Sequence, residues 1–476
     1  MSLLMIASLF FIQLASVSAG SAIDQCQLAE QGADALREAE ARIEHHTLAN
    51  GLQLMLLPMP AQQTVAIATE VDVGSRHEQI GETGYAHLFE HLLFEGSENA
   101  PGEAYTQAMR QLGGQFNAET WFDYTRYYIQ FPAHALHRVL WLEADRFRRP
   151  VLSEKTVENQ KAAVLEETAM RVDNTPFFRA SMEFMLQQMA GTPYAHDVLG
   201  RREDIVNATP ASLSRFHQRH YFPANTRIAL TGQFQAEQAA QWLQQQFGDW
   251  RNPRELPPAD AAITVEPTEA EATLTDSRSP WPALLLAWHT VGQQHPDRAA
   301  IDLFERHLLG MPDNRLEQAL RQEDSTFIVQ SIALPMADHG LSNLVLVPRA
   351  HKSLDDLEQT VLQNIAEVAE QGLSTERLCQ LKADHIEQQL RRLDDPLQLA
   401  SALVANGERF PHTPLTGQWQ NIQALTSADL QRVAKQYFQR QPIRLELQPA
   451  WYMRVAKTLL EWLPESWAKG LEESAL

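Results

Sequence analysis

The sequence predicts an α+β fold of two similar domains, each a mainly antiparallel sheet with helices packed on it. The chain has 476 residues, which is more than one hydrophobic core usually supports. Strand-like and helical runs come in blocks and do not alternate regularly, which is typical of α+β proteins. A similar succession of strands and helices recurs after a proline-rich, acidic segment, so the sequence favours two halves of one architecture.

The first predicted domain spans residues 43–250. Asn50-Gly51 is a turn dipeptide, and a strand-like run follows it at 52–58. Residues 64–75 alternate well enough to be the partner of that run in a hairpin. Helices are predicted at 84–96, 103–113, 134–147 and 154–171, and further strands at 126–132 and 227–234.

A predicted linker, 251–273, separates the two halves because it contains four prolines and many acidic residues. The second domain, 274–450, is expected to have the same fold. Its strands are predicted at 283–291 and 343–348, and its helices at 353–371 and 374–393. The last segment, 451–476, is amphipathic and carries three tryptophans. We expect this tail to pack on its own domain, with contact to a membrane surface as the alternative.

The N-terminal residues 1–19 are typical of a signal peptide. The apolar run Leu3–Leu14 is too short to span a bilayer comfortably, and the small residues of Val17-Ser18-Ala19 suit a cleavage site. No Lys or Arg precedes the run, so a retained membrane anchor remains the alternative. In either case we expect the domains outside the cytoplasm, in the periplasm or secreted.

Charge and cysteine content exclude two classes of site. The formal net charge is -21, which argues against a nucleic-acid partner because phosphate binding requires a basic surface. The two cysteines, Cys26 and Cys379, do not form a spaced cluster, so a Cys-based zinc site is excluded. We expect each cysteine to be unpaired, with a disulfide between them as the alternative.

The stretch HLFEH places His87, Glu90 and His91 within five residues. On a helix, positions i and i+4 share a face, so the two imidazoles would lie together as zinc ligands do. Glu90 neighbours that face and can act as a general base on a metal-bound water. H-x-x-E-H is also the inverted form of a zinc-protease signature. A helix with two solvated or core histidines is the other interpretation, and the motif alone does not choose between them.

Three longer sequence blocks favour the zinc site over a helix with ordinary histidines. The blocks are Gly74–Ser97, Leu112–Pro132 and Glu158–Pro176. Together they resemble the pitrilysin/insulinase family of zinc metallopeptidases, the inverzincins. The resemblance extends over residues 45–235 and, more weakly, over 275–440. It implies the pitrilysin-like fold of a two-domain bacterial member and a zinc-dependent endopeptidase that hydrolyses peptides or small unfolded proteins.

The resemblance also implies the composition of the site. One Zn²⁺ per chain would be held by His87, His91 and an acid from the third block, with Glu90 as general base on zinc-bound water. Two acids adjoin in that block, Glu166 and Glu167. Their register relative to the family pattern favours Glu167 as the ligand, and Glu166 would point about 100° away around the helix.

For the substrate, the resemblance implies an exposed edge strand beside the zinc. The strand would include Asn117, Ala118, Glu119 and Thr120, and an extended peptide would add to it through main-chain hydrogen bonds. Such binding reads the backbone more than the side chains, so we expect broad specificity.

The second half departs from the family pattern. Relatives supply an Arg and a Tyr that stabilise the oxyanion. Arg321 matches the Arg, but Phe327 stands in the place of the Tyr and cannot donate a hydrogen bond. We therefore expect a dimer, favouring a heterodimer in which a zinc-less relative supplies Arg and Tyr, with a homodimer as the alternative. A non-catalytic or partner-dependent peptide-binding subunit is the alternative function.

Overall fold

The computed structural model describes residues 22–254, 262–279, 281–309, 314–322, 325–349, 352–405, 415–416 and 419–452. The predicted signal peptide, 1–19, and the predicted tail beyond residue 452 lie outside the described residues. Within the described part of the chain, no helix is both long enough and apolar enough to cross a membrane.

The strands are β1 (Glu44–Thr47), β2 (Gln53–Pro58), β3 (Thr64–Val71), β4 (Gln115–Thr120), β5 (Thr125–Pro132), β6 (Thr226–Gly232), β7 (Glu271–Asp276), β8 (Ala283–Val291), β9 (Thr326–Pro335), β10 (His339–Pro348) and β11 (Ile443–Pro449). The helices are α1 (Ala22–Glu40), α2 (Tyr85–Leu92), α3 (Ala104–Gln111), α4 (Leu136–Arg148), α5 (Glu154–Thr168), α6 (Phe178–Gln187), α7 (Arg202–Asn207), α8 (Pro210–His220), α9 (Ala236–Phe247), α10 (Arg298–Leu309), α11 (Arg315–Gln322), α12 (Leu354–Gln371), α13 (Thr375–Arg392), α14 (Pro396–Val404), α15 (Trp419–Ala424) and α16 (Ser427–Val433).

The chain forms two compact units that are not contiguous in sequence. The first unit takes its described residues from 1–168, 196–261 and 383–419, and the second takes them from 169–195, 262–382 and 420–476. The domains predicted from the sequence were contiguous, at 43–250 and 274–450, and the structure differs because α14 packs on the sheet of the first unit. Strand β7 also begins inside the segment predicted as a linker.

The first unit is built on a six-stranded sheet with the order β1-β2-β6-β3-β5-β4. Neighbouring strands are antiparallel except for β2 and β6, which run parallel. Strand β4 pairs only with β5 and therefore forms one edge of the sheet.

The second unit has a five-stranded sheet with the order β7-β11-β8-β10-β9, in which only β7 and β11 are parallel. Apart from β1, both sheets place their strands in the same order: first, last, second, fourth and third along the chain. This common topology confirms the prediction of an α+β protein with two similar, mainly antiparallel halves.

The hairpin predicted between 52–58 and 64–75 is wrong. Strands β2 and β3 do not pair, because β6 lies between them. Every residue of β6 is buried: β2 and β3 pair with its two edges, and the layers on both faces of the sheet cover its side chains. The Asn50-Gly51 turn lies between β1 and β2, where Gly51 has a φ of 91° that glycine adopts without strain.

Both faces of the first sheet are covered. On one face, Ile67 and Ile129 belong to a large core that includes Leu88 and Phe89 of α2. On the other face, alanines of the sheet belong to a cluster with apolar residues of α14, among them Leu403. The sheet is therefore an internal layer, and α2 is fixed on it by apolar packing.

The expectation of unpaired cysteines is wrong. Cys26 and Cys379 are both disulfide-bonded, and the structure has no free cysteine among its described residues. The two residues lie on α1 and α13, which are far apart in the sequence. Spacing along the chain carries no information about such a pair, because the bond depends on the tertiary fold.

Candidate metal centre

Helix α2 presents the His-x-x-Glu-His motif on a firmly packed support. Its residues Leu88, Phe89 and Leu92 are fully buried. The ring of Phe89 stacks on that of Phe216 in α8, with centroids 5.5 Å apart. Gly84 begins the helix with a φ of 87°, in the left-handed region that favours glycine. This packing holds α2 in place on the first sheet.

His87, His91 and Glu167 are brought together, with ligand atoms that all lie within 4.8 Å of one another. Oε2 of Glu167 lies 3.3 Å from Nε2 of His91 and 3.8 Å from Nε2 of His87. Glu167 belongs to α5, which packs against α2. Glu166, the other acid considered, is exposed. Among the residues that the structure describes, no second group of three or more such side chains could hold a metal.

Glu90 is held by a side chain of the neighbouring strand. The hydroxyl Oγ1 of Thr120 donates a hydrogen bond to Oε2 of Glu90 at 2.7 Å. Thr120 is 9% exposed, so little water competes for this contact. A hydrogen bond to a charged group is stronger than one between neutral groups. The structure thus orients the carboxylate of Glu90 on the helix that also bears both histidines.

Buried polar rings lie behind α2. His217 stacks on Phe89 with ring centroids 5.8 Å apart, and burial lowers the pKa of His217 to about 4, so this imidazole is neutral near pH 7. The hydroxyls of Tyr127 and Tyr221 lie 2.9 Å apart. Burial raises the pKa of both phenols, and the charge of Glu90 acts in the same direction. Both tyrosines therefore remain protonated and carry no charge behind the site.

Strand β4 lies at the sheet edge, as predicted, but its side chains divide between two faces. Ala118 and Thr120 are buried, whereas Asn117 is exposed and Glu119 is half-buried. Oδ1 of Asn117 accepts a hydrogen bond from the backbone N–H of Ala118 at 2.9 Å. Glu119 accepts one from Arg126 at 2.8 Å. The side chain of Thr120, also predicted as a substrate contact, contacts Glu90, and the side chain of Glu119 lies on the other face of the strand.

The residues predicted to act from the second half lie in the second unit. Arg321 belongs to α11 and Phe327 to β9. Their side chains lie outside the part of the chain that the structure describes, so a contact of Arg321 with an oxyanion stays a prediction.

Two models of one peptidase family match the chain, one over the metal centre and the other over residues 207–384. The model described as Insulinase (Peptidase family M16) matches residues 55–197, which include all of α2 and α5. The model described as Peptidase M16 inactive domain matches residues 207–384. The chain belongs to the insulinase family, peptidase family M16.

Relatives of this insulinase-family chain extend over most of its length. The zinc protease PqqE of Helicobacter pylori is 24% identical over 404 residues, which cover 83% of this chain and 90% of that protein. A crystal structure of a protease from Helicobacter pylori has a TM-score of 0.79 at 22% identity, covering 86% of this chain and 99% of that one. The first half of the periplasmic protease PqqL from Escherichia coli has a TM-score of 0.70 at 17% identity, covering 91% and 96%. The chain therefore has the two-domain pitrilysin-like fold.

The donor atoms of this insulinase-family site fit zinc. Two imidazole Nε2 atoms and one carboxylate oxygen form the ligand set of catalytic zinc sites, which have three protein ligands and one open position. The side chains of His91 and Glu167 are 26% and 19% exposed, so the group opens to solvent on one side. This arrangement differs from a structural zinc site, in which the protein closes all four positions.

Sequence reasoning missed two contacts of the insulinase-family site. It assigned Thr120 to the substrate and did not connect it with Glu90, since that contact joins two elements far apart in the chain. It also did not single out Glu78, whose carboxylate binds the start of α2. The signal in the sequence was an acidic residue shortly before a helix whose N-cap is glycine, because such a helix start needs an acceptor from elsewhere.

Proposed function

We propose that this chain is a zinc-dependent endopeptidase that hydrolyses peptides or small unfolded proteins. The observation that carries the proposal is the grouping of His87, His91 and Glu167 beside a Glu90 that Thr120 orients. Two metal-binding imidazoles, a third acidic donor and a separately held carboxylate are the groups that metal-assisted hydrolysis requires. The name of the PqqE relative, a zinc protease, supports the same metal and the same reaction.

Zinc would be held by His87, His91 and Glu167. When bound, zinc supplies a Lewis acid that polarises the scissile carbonyl and makes a water molecule more acidic. The chain's own contribution is to bring a carboxylate from α5 to the two imidazoles of α2. We propose one zinc ion per chain, since the described residues provide one such group.

Glu90 would move the proton. Its Oε2 accepts a hydrogen bond from Thr120, and the carboxylate held in this way would take a proton from the attacking water. As the carbon–nitrogen bond breaks, the same carboxyl returns the proton to the leaving amine. The oxygen of the water would end in the new carboxyl group, and the second proton of the water would pass from that group to the released amine, so that a carboxylate and an ammonium group are the products.

The substrate would bind as an added strand on β4. This strand is the edge of the first sheet and packs near α2, so its outward N–H and C=O groups can pair with an extended peptide. Asn117 caps the N–H of Ala118 with its own side chain, and a peptide carbonyl that pairs with this N–H would replace it. The main chain of Asn117, Ala118, Glu119 and Thr120 would provide most of the binding.

A partner would complete the site. Phe327 at the usual place of a tyrosine leaves the oxyanion one donor short. Residues 207–384, which include Arg321 and Phe327, match a model described as Peptidase M16 inactive domain. We propose a heterodimer with a zinc-less relative that brings Arg and Tyr, and full activity of the isolated chain would exclude it.

The protein would work outside the cytoplasm. The disulfide-bonded state of Cys26 and Cys379 suits an oxidising compartment. The N-terminal signal-like segment and the periplasmic location named for PqqL support a periplasmic site, with a membrane anchor as the alternative.

The decisive test is Glu90→Gln, which keeps the shape of the side chain and removes its basicity. We expect zinc content equal to wild type and a loss of peptide hydrolysis of roughly 10²- to 10⁴-fold, the usual contribution of a general base. If the unsubstituted protein binds zinc but hydrolyses no peptide, even with the partner present, the alternative of a peptide-binding subunit is favoured. Wild-type turnover by the Glu90→Gln variant would remove Glu90 from its role.

A further inference from the structure

A buried carboxylate holds the N-terminus of the helix that carries the metal site. Oε2 of Glu78 accepts a hydrogen bond from the backbone N–H of Gly84 at 2.8 Å. Oε1 of Glu78 accepts one from the N–H of Ala86, also at 2.8 Å. The Glu78 side chain is fully buried. Both carboxylate oxygens are therefore committed to the start of α2, and Ala86 immediately precedes the first histidine.

The start of α2 needs this support because its own sequence provides none. The first N–H groups of a helix lack partners within the helix, and a side chain at the N-cap usually satisfies them. Here the N-cap is Gly84, which has no side chain. The carboxyl group of Glu78 also lies at the positive end of the helix dipole, which favours its ionised form. Burial raises the pKa of Glu78, and the two backbone hydrogen bonds act against that shift.

The chain around Glu78 leaves α2 little freedom to begin elsewhere. A Cβ at Gly84 would meet the backbone oxygen of Leu199 at 2.5 Å, so the two segments are in close contact. The residue before it, Thr83, accepts a hydrogen bond from the N–H of Arg201 at 2.9 Å and donates one to Asp204. These contacts fix where the chain enters α2, and Glu78 fixes its first turn.

We propose that Glu78 is a positioning residue for the metal centre, which sets the register and rotation of α2 so that His87 and His91 face Glu167. Each helical residue advances the chain by about 1.5 Å and turns it by about 100°, so a loosened first turn displaces the first histidine most. The proposal rests on the proposed function in one respect, namely that His87, His91 and Glu167 bind zinc.

The experiment measures the zinc affinity of metal-free protein by competition with a chromophoric chelator. The variants are Glu78→Ala, which removes both acceptors, and Glu78→Gln, which retains one. The control is Asp395→Ala. Asp395 caps α14 through the N–H groups of Leu397 and Gln398, and α14 packs on the sheet face opposite α2. Urea unfolding of all variants reports the loss of stability separately.

We expect Glu78→Ala to bind zinc about tenfold more weakly than wild type or worse, in the range seen when supporting contacts of a metal site are removed. Glu78→Gln should be intermediate, and it decides the result if Glu78→Ala does not fold. Asp395→Ala should lose stability and keep wild-type affinity. Wild-type affinity in Glu78→Gln and Glu78→Ala, or an equal loss in Asp395→Ala, would overturn the inference. A wild-type protein that binds no zinc would instead refute the proposed function.

Discussion

The hydrogen bond from Thr120 to Glu90 gives the sharpest prediction about activity. Thr120→Val replaces a hydroxyl by a methyl of similar size at a buried strand position, so we expect the fold to be preserved. The lost hydrogen bond has a length of 2.7 Å and ends on a carboxylate. Such bonds contribute about 1.5–3 kcal/mol. If that contribution is expressed in the transition state, kcat falls by about 10- to 150-fold.

The assay is kcat and KM on a fluorogenic peptide, with zinc content measured on the same sample. We expect the loss in kcat, with KM and zinc content close to wild type, because the substitution leaves unchanged the main chain of β4, through which the peptide would bind, and the three residues that would hold zinc. The matched control is Thr125→Val, on the strand paired with β4, where the hydroxyl donates to the backbone of Val73. A wild-type kcat in Thr120→Val, or an equal loss in Thr125→Val, would refute the orienting role.

Three further predictions concern the third ligand, acid stability and the second layer of the first unit. Glu167→Gln should lose zinc by elemental analysis, and Glu166→Gln, which alters an exposed residue, should retain it. The pKa of His217 is about 4 in the fold, so the unfolded chain binds the extra proton first and stability falls as pH falls below the unfolded pKa. Relative to neutral pH this costs about 2 kcal/mol at about pH 5, and His217→Gln should show a smaller pH dependence in urea unfolding. Leu403→Ala, at a fully buried position of α14, should cost about 2–5 kcal/mol in the same experiment without changing zinc affinity.

Local signals in the sequence located most elements of the fold. The run at 283–291 is a strand with those bounds. The helix predicted at 353–371 begins one residue later, and the helix predicted at 374–393 is shorter by one residue at each end. Periodicity and capping depend on neighbouring residues, so they can be read along the chain. For the same reason the spacing of His87 and His91 was enough to place two imidazoles on one helix face.

The order of the strands needed the tertiary structure. Asn50-Gly51 correctly indicated a turn. Nothing local to β2 or β3 revealed that β6 would lie between them, because β6 comes some 170 residues later in the chain. A strand that is buried along its whole length takes the position where its neighbours cover both edges, and that position depends on the whole sheet.

The sequence by itself determined the two-half α+β plan, the motif and, through family register, the choice of Glu167. The tertiary structure alone decided that Thr120 orients Glu90, that Glu78 holds α2, that α14 covers the far face of the first sheet, and that both cysteines are disulfide-bonded. The physical reason is common to all four. Each contact joins side chains or main chain from different elements, and its energy appears only after apolar burial has brought those elements together.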